Sequence, residues 1–239
     1  MRRGYLDFLN QHQLYSGSKK KWTIDLRQSN CFWYDLVATE HPLVKPDLIK
    51  SRLTEIRDHV TNQIDKRFIY YIATRKRVRF SEALHPKLEG NIVSIWIEIG
   101  KDRHLQRLNL ILPEGSCTSV IADPRMISFV GPNGRKISQE IHGFLETLEA
   151  NFGIESEVKY VGMTKDPTRR PLFDGHIPLG KISYDLDREE EDIFVYFNTF
   201  RVMTSAISDR LNSELRIPNA ATDEVSVENE GRIIEKALI

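Results

Sequence analysis

Apolar residues recur at helical spacing in two long stretches and cluster at strand spacing in several shorter ones. Leu48, Leu53, Ile56, Val60 and Ile64, opened by Pro46, predict a helix from Pro46 to about Lys66. Ile137, Ile141, Phe144, Leu145, Leu148 and Phe152 line one face of a second helix, with Gly153 placed as its C-cap. Shorter helices are predicted over residues 5–15, over Ala206–Leu215, and from Glu228 to Ile239. The Ser16–Lys21 segment reads as a turn that breaks the first of these. Strands are predicted at Phe68–Thr74, Ile92–Ile99, Leu105–Leu112, Met126–Val130, Val158–Val161 and Ile193–Val202. The short gap at Gly100–His104 suits an antiparallel hairpin between the second and third of them.

This alternation predicts an α/β chain of the α+β kind. It is organised as a basic N-terminal α/β region (1–88), a β-rich linking region (89–134) and a small domain (135–239) with a short antiparallel sheet flanked by helices. Soft boundaries fall near residues 85–90 and at Gly134, where proline and glycine interrupt the pattern.

Composition narrows the class. With 239 residues, 40% hydrophobic and 28% charged, the chain is long enough for a substantial core. No apolar run approaches the roughly 20 residues of a membrane span. The start, Met1-Arg2-Arg3, continues too short and too polar for a signal peptide. Cys31 and Cys117 lack metal-ligand spacing and are expected to be buried thiols, which points to a reducing, cytoplasmic setting.

Net charge is zero but uneven. Residues 1–80 carry 16 basic and 8 acidic side chains, and the remainder carries 18 and 26. A basic front half favours a polyanionic partner. Its densest pieces are Lys19-Lys20-Lys21-Trp22 and Arg75-Lys76-Arg77-Val78-Arg79-Phe80, each ending on an aromatic that a base could stack on. The acidic Asp185–Asp192 run is the feature that would suit a protein partner instead.

The stretch richest in chemistry is Tyr160-Val161-Gly162-Met163-Thr164-Lys165-Asp166-Pro167-Thr168-Arg169-Arg170. A glycine at the end of a short strand is expected to let the backbone turn away sharply. The loop then leads toward a helix whose first turn returns Arg169 or Arg170 toward Tyr160. A phenol beside a guanidinium fork matches the geometry of a phosphodiester. His176 lies shortly beyond, and Glu230 and Glu235 stand on the terminal helix, where a carboxylate could hold a hard cation with few other protein ligands.

These residues resemble the GIY-YIG nuclease superfamily over roughly 153–239. Tyr160-Val161-Gly162 is similar to the YIG half of its signature, and Arg170 falls where that family has its arginine. His176 is near the family's imidazole position, and Glu235-Lys236-Ala237-Leu238-Ile239 resembles its metal-site helix, with Glu230 as the second choice. The resemblance implies divalent-metal-dependent hydrolysis of DNA, with Mg²⁺ or Mn²⁺ as cofactor and a role in restriction or defence. Tyr160, Arg170 and His176 would be catalytic, and Arg169 would join the lysines and arginines above on the nucleic acid. The GIY half is degenerate. Gly153-Ile154 lacks a tyrosine, Tyr70-Tyr71-Ile72 has no following glycine and is set aside, and Met126–Val130, with Phe129, is the strand expected beside Tyr160. A non-catalytic nucleic-acid binder and a protein-interaction or regulatory subunit are the competing expectations.

Overall fold

The computed structural model describes residues 3–38, 41–44, 46–64, 67–169, 172, 175–208 and 212–239. Its strands are β1 (Lys19–Trp33), β2 (Phe68–Lys76), β3 (Val78–Phe80), β4 (Lys87–Glu89), β5 (Ile92–Ile99), β6 (His104–Ile111), β7 (Ser119–Ala122), β8 (Met126–Val130), β9 (Lys136–Glu140), β10 (Ser156–Thr164), β11 (Glu191–Ser208) and β12 (Ser213–Pro218). Its helices are α1 (Gln13–Ser16), α2 (Tyr34–Ala38), α3 (Pro46–Ile64), α4 (Ile141–Thr147), α5 (Ile177–Asp185), α6 (Asn219–Thr222) and α7 (Val227–Ala237), with a 3-10 turn at Asp7–Gln11. The fold is α+β. No helix among the described residues is long and apolar enough to cross a membrane.

Two compact units divide the chain. The first comprises Met1–Ala73, Val158–Tyr184 and Phe194–Ile239; the second comprises Thr74–Glu157 and Asp185–Ile193. The second is therefore mostly an insertion, entered from β2 and left through β10. Residues 85–90 and Gly134, read as boundaries, both lie inside it.

In the first unit the sheet runs β1-β11-β2-β10, with β12 also paired to β11. Strand β1 was missed by sequence patterning because its first three residues are lysines. It nevertheless pairs antiparallel with β11 from Lys19↔Ile207 to Trp33↔Phe194, with a bulge between Leu26 and Gln28. Alternation explains this. Trp22 and Ile24 pack against the cluster of Ile69, Phe200, Val202 and Ile234, which holds one face of β1 down, while Lys19 and Lys21 point the other way and stay exposed.

The helix expected over Ala206–Leu215 is instead a hairpin. Strand β11 continues to Ser208, and β12 returns antiparallel from Ser213↔Ser208 to Pro218↔Met203. Asn212, with φ of 45°, supplies the left-handed residue of the turn. Helix α3 follows the sequence reading, with Leu53, Ile56 and Val60 almost fully buried; residues 65 and 66 lie outside the described set. Helix α7 also follows it, beginning after Ser226, whose hydroxyl accepts from the Asn229 amide.

The second unit holds a sheet of order β3-β5-β4, with β6 on β5, and a three-stranded sheet β7-β8-β9. The expected hairpin is present, from Ile92↔Ile111 to Ile99↔His104. Val93, Ile95, Ile97 and Ile99 form its buried face. The long helix expected from residue 137 is shorter. Lys136–Glu140 is strand β9, paired with β8, and only Ile141–Thr147 is helical. Ile137 is 61% exposed, so it never belonged to the buried stripe. Glu140 sets the switch, because its carboxylate accepts from the His142 and Gly143 amides at 2.7 and 2.5 Å and caps the new helix.

Candidate functional site

Strands β2 and β10 are hydrogen-bonded neighbours although residues 77–155 separate them. The strand beside Tyr160 is therefore the one carrying Tyr70, not Met126–Val130, which pairs with β7 and β9. Tyr70, set aside from the sequence for want of a following glycine, faces the glycine of the other strand. A Cβ built on Gly162 would lie 2.5 Å from Tyr70 Cζ and Oη and 2.8 Å from Tyr160 Cε1. Gly162 lies inside β10 rather than at a turn. Its role is room for the Tyr70 ring rather than a change of chain direction.

Three rings gather at this point. The centroid of Tyr70 is 5.9 Å from that of Tyr160 and 5.5 Å from that of His176, and Tyr160 and His176 are 5.7 Å apart. Phe197 of β11 closes the group from below at 6.4 Å from Tyr70. Tyr70 is only 4% exposed, whereas Tyr160 and His176 are half-buried. The cluster thus has one rigid phenol and two side chains that reach solvent.

His176 is fixed by the start of α5. Its Nδ1 accepts from the Leu179 amide at 3.3 Å, and its carbonyl accepts from Gly180 at 2.9 Å. An Nδ1 that accepts carries no proton, so in the neutral ring the proton sits on Nε2. Nε2 lies 2.8 Å from Tyr70 Oη, so the imidazole donates to the phenol oxygen. The turn at 166–168 is held by Asp166, whose carboxylate accepts from the Thr168 amide and hydroxyl at 3.0 and 2.6 Å. Burial acts to raise the Asp166 carboxyl, but these bonds and the Arg57 charge hold it below its ordinary range. Arg169 is exposed beside this turn, and Arg170 lies outside the described residues.

The terminal helix separates its two glutamates. Five residues along a helix is roughly 140° of rotation, so Glu230 and Glu235 cannot face one ion together. Glu230 is 5% exposed, and its Oε2 accepts from Arg3 at 2.8 Å and from Asn219 Nδ2 at 2.6 Å. Glu235 is half-buried. Gly231, next to Glu230, presses on β10, where an added Cβ would collide with Met163 Sδ. As folded, Glu230 does not fit a resident divalent ion, because the Arg3 guanidinium already occupies the cationic position on it, which leaves Glu235 as the carboxylate of the pair open to a cation. No group of three or more His, Cys, Asp or Glu among the described residues is placed to hold a metal.

The basic run expected to meet nucleic acid is largely spoken for within the second unit. Lys76 pairs with Glu190 at 3.6 Å, Arg77 with Glu189 at 2.6 Å, and Arg75 donates to Ser156 at 2.9 Å. Arg79 is buried and forks onto Asp192, with both bonds at 2.7 Å. The acidic run is thus the internal partner of the basic one. In the first unit Lys20 bridges to Glu224 and lies over the Tyr15 ring, while Lys19 and Lys21 are exposed. Cys31 is exposed and Cys117 half-buried, so neither is the buried thiol expected. No protein-family model, curated protein or solved structure matches the chain.

Proposed function

We propose that this chain hydrolyses phosphodiester bonds in DNA, as a cytoplasmic endonuclease of the GIY-YIG type. The observation that carries the reading is the meeting of Tyr70 and Tyr160 on adjacent strands over Gly162, with His176 donating to Tyr70. Phe68-Ile69-Tyr70 would then supply the first half of the signature and Tyr160-Val161-Gly162 the second, with the insertion between them.

In this reading Tyr70 acts as a phenolate that the donated His176 Nε2–H stabilises: it takes one proton from the attacking water as the water oxygen bonds to phosphorus, and the leaving alkoxide takes its proton from solvent. Tyr160 and the Arg169–Arg170 pair bind the phosphate oxygens that gain charge in the transition state. A divalent ion, Mg²⁺ or Mn²⁺, belongs to the reading, but no step is routed through it because Arg3 holds Glu230.

Supercoiled plasmid incubated with either ion tests the proposal, with Tyr70→Phe, His176→Gln and Arg170→Ala beside the parent. Cleavage by the parent is expected, falling by about 10²–10⁴-fold in Tyr70→Phe while the melting temperature stays near the parent's. One observation favours a second reading, a nucleic-acid binder without catalysis: the buried Arg3–Glu230 pair neutralises one of the two carboxylates such a reaction could use. Intact plasmid with a folded parent under both ions would select it.

A further inference from the structure

Among the cations of the second unit that the acidic run does not neutralise, two meet on one ring. Lys87 on β4 and Arg107 on β6 flank Trp96 on β5, with Nζ 5.8 Å and Cζ 5.5 Å from the indole centroid. Register places them on one face of the sheet, through Lys87↔Ser94↔Asn109 and Trp96↔Arg107. The opposite face is the buried one of Val93, Ile95, Ile97 and Ile99. Lys87 and Arg107 are exposed, and among the described residues neither has a carboxylate partner.

Arg107 is also set in place. Its Nε donates to Asn109 Oδ1 at 3.1 Å and one Nη to Ser94 Oγ at 2.8 Å, both neutral acceptors. Its charge is therefore undiminished, and the rest of its donor fork points outward from a fixed position. Two carboxylates share this face. Glu98 is occupied by Ser81 at 2.6 Å and by Arg103 at 3.9 Å, and Glu89 sits one row out, opposite Ile92. Lys76, Arg77, Arg79 and Lys101 each have an acid; Lys87 and Arg107 do not, and they differ from the exposed Arg135 and Lys136 in flanking one indole on one sheet face.

We infer that the exposed face of β4–β5–β6 binds the phosphate backbone of duplex DNA, through Lys87 and Arg107 held on Trp96. The indole is engaged by both cations, so the face offers charge to phosphates rather than an open ring to unstacked bases, which favours a duplex over a single strand. The choice of DNA over RNA rests on the proposed cleavage reaction; the charge argument does not. Contacts of this kind are independent of base sequence and weaken steeply with salt.

The test is fluorescence anisotropy of a labelled random-sequence DNA duplex, titrated with full-length protein in EDTA, so that binding is read without cleavage. The parent is expected to bind at low salt. Lys87→Ala/Arg107→Ala should bind about tenfold or more weakly, and the slope of log affinity against log salt should fall by nearly two. Arg107→Lys, which keeps charge but loses the fork, should recover most of the slope and part of the affinity. Circular dichroism and melting of each variant establish that it is folded. Unchanged affinity and slope in the folded double variant, or a parent that binds no duplex at low salt, would overturn the inference. So would unchanged DNA binding together with altered sedimentation of Ile111→Asp, which would give this face to a protein contact. Failure of plasmid cleavage leaves this result intact, since the two experiments share no readout.

Discussion

Gly162→Ala tests whether the two tyrosine strands are fitted as described. The new methyl would sit 2.5 Å from Tyr70 Cζ and Oη, against an ordinary contact of 3.4–4 Å. Tyr70 must then retreat by about 1 Å to restore normal packing. It has nowhere easy to go, being 4% exposed and backed by Phe197 at 6.4 Å between centroids. Overpacking of this kind costs about 1–3 kcal/mol. Displacing the phenol also removes its 2.8 Å bond to His176, a further loss of about 0.5–1.5 kcal/mol. Against this, alanine in a strand gains about 0.5–1 kcal/mol over glycine from chain entropy. The net expectation is a loss of about 0.5–4 kcal/mol. Tyr160, whose Cε1 lies at 2.8 Å, is half-buried and can swing outward, so it adds little. The assay is urea unfolding followed by tryptophan fluorescence, run as a cycle with Tyr70→Ala. With the Tyr70 ring gone the close neighbour of the methyl is Tyr160, which can swing outward, and Gly162→Ala should become neutral or mildly stabilising. A coupling of about 1.5–4.5 kcal/mol, the overpacking and hydrogen-bond terms together, is expected. If Gly162→Ala costs the same with and without the Tyr70 ring, or nothing in either, the fit of the strands is refuted.

Two further outcomes follow from buried charge. Burial pushes the Asp192 carboxyl up, but the bonds from His142 and Arg79 more than reverse this and hold it below its ordinary 3.8. A depressed acid contributes stability that is complete above the unfolded-state value and is lost as pH falls through the folded one. Denaturation midpoints should therefore hold near neutrality and decline below about pH 4. Asp192→Asn should flatten that decline while lowering stability at pH 7 by about 3–5 kcal/mol, and a decline of unchanged size would refute the assignment. Arg3→Ala should lower the melting temperature without metal, and Mg²⁺ or Mn²⁺ should raise it more in the variant than in the parent. Equal metal shifts in both would mean that Arg3 and a cation do not compete for Glu230.

The fold was legible wherever burial and period agree. The β5–β6 hairpin, α3 and α7 each show one apolar face of one period, and each stands within a few residues of its predicted place. It was illegible where one pattern serves two periods. Ile137, Ile141 and Phe144 fit a helix stripe, yet Lys136-Ile137-Ser138-Gln139-Glu140 also alternates, and pairing with β8 decides for the strand. Lys19-Lys20-Lys21 hid a strand because charge was read as a break. Tyr160, Gly162 and His176 were visible as a local motif. Tyr70 was not, because its role depends on adjacency in a sheet and not on anything near it in the chain. The one available signal was Gly162 itself: a glycine inside a strand marks a place where a bulky neighbour crosses closely.

Charge was legible as a sum and not as a pattern of pairs. A front half rich in lysine and arginine and a back half rich in acid suggest a basic face and an acidic face. The fold instead brings much of one onto the other. Residues 74–80 and 185–193 lie far apart in sequence but belong to the same unit, and there Arg77, Lys76 and Arg79 find Glu189, Glu190 and Asp192. Once these are removed, affinity for a polyanion must come from cations chosen by what they lack. Lys87 and Arg107 lack a carboxylate although the run containing Arg75–Arg79 is far denser. A charge-reversal comparison separates the two accounts. Lys76→Glu/Arg77→Glu sets like charges against Glu189 and Glu190, so it should chiefly destabilise the unit. Lys87→Glu/Arg107→Glu should leave melting nearly unchanged and abolish duplex binding, because in that pair the lost charge faces solvent without an acid of its own.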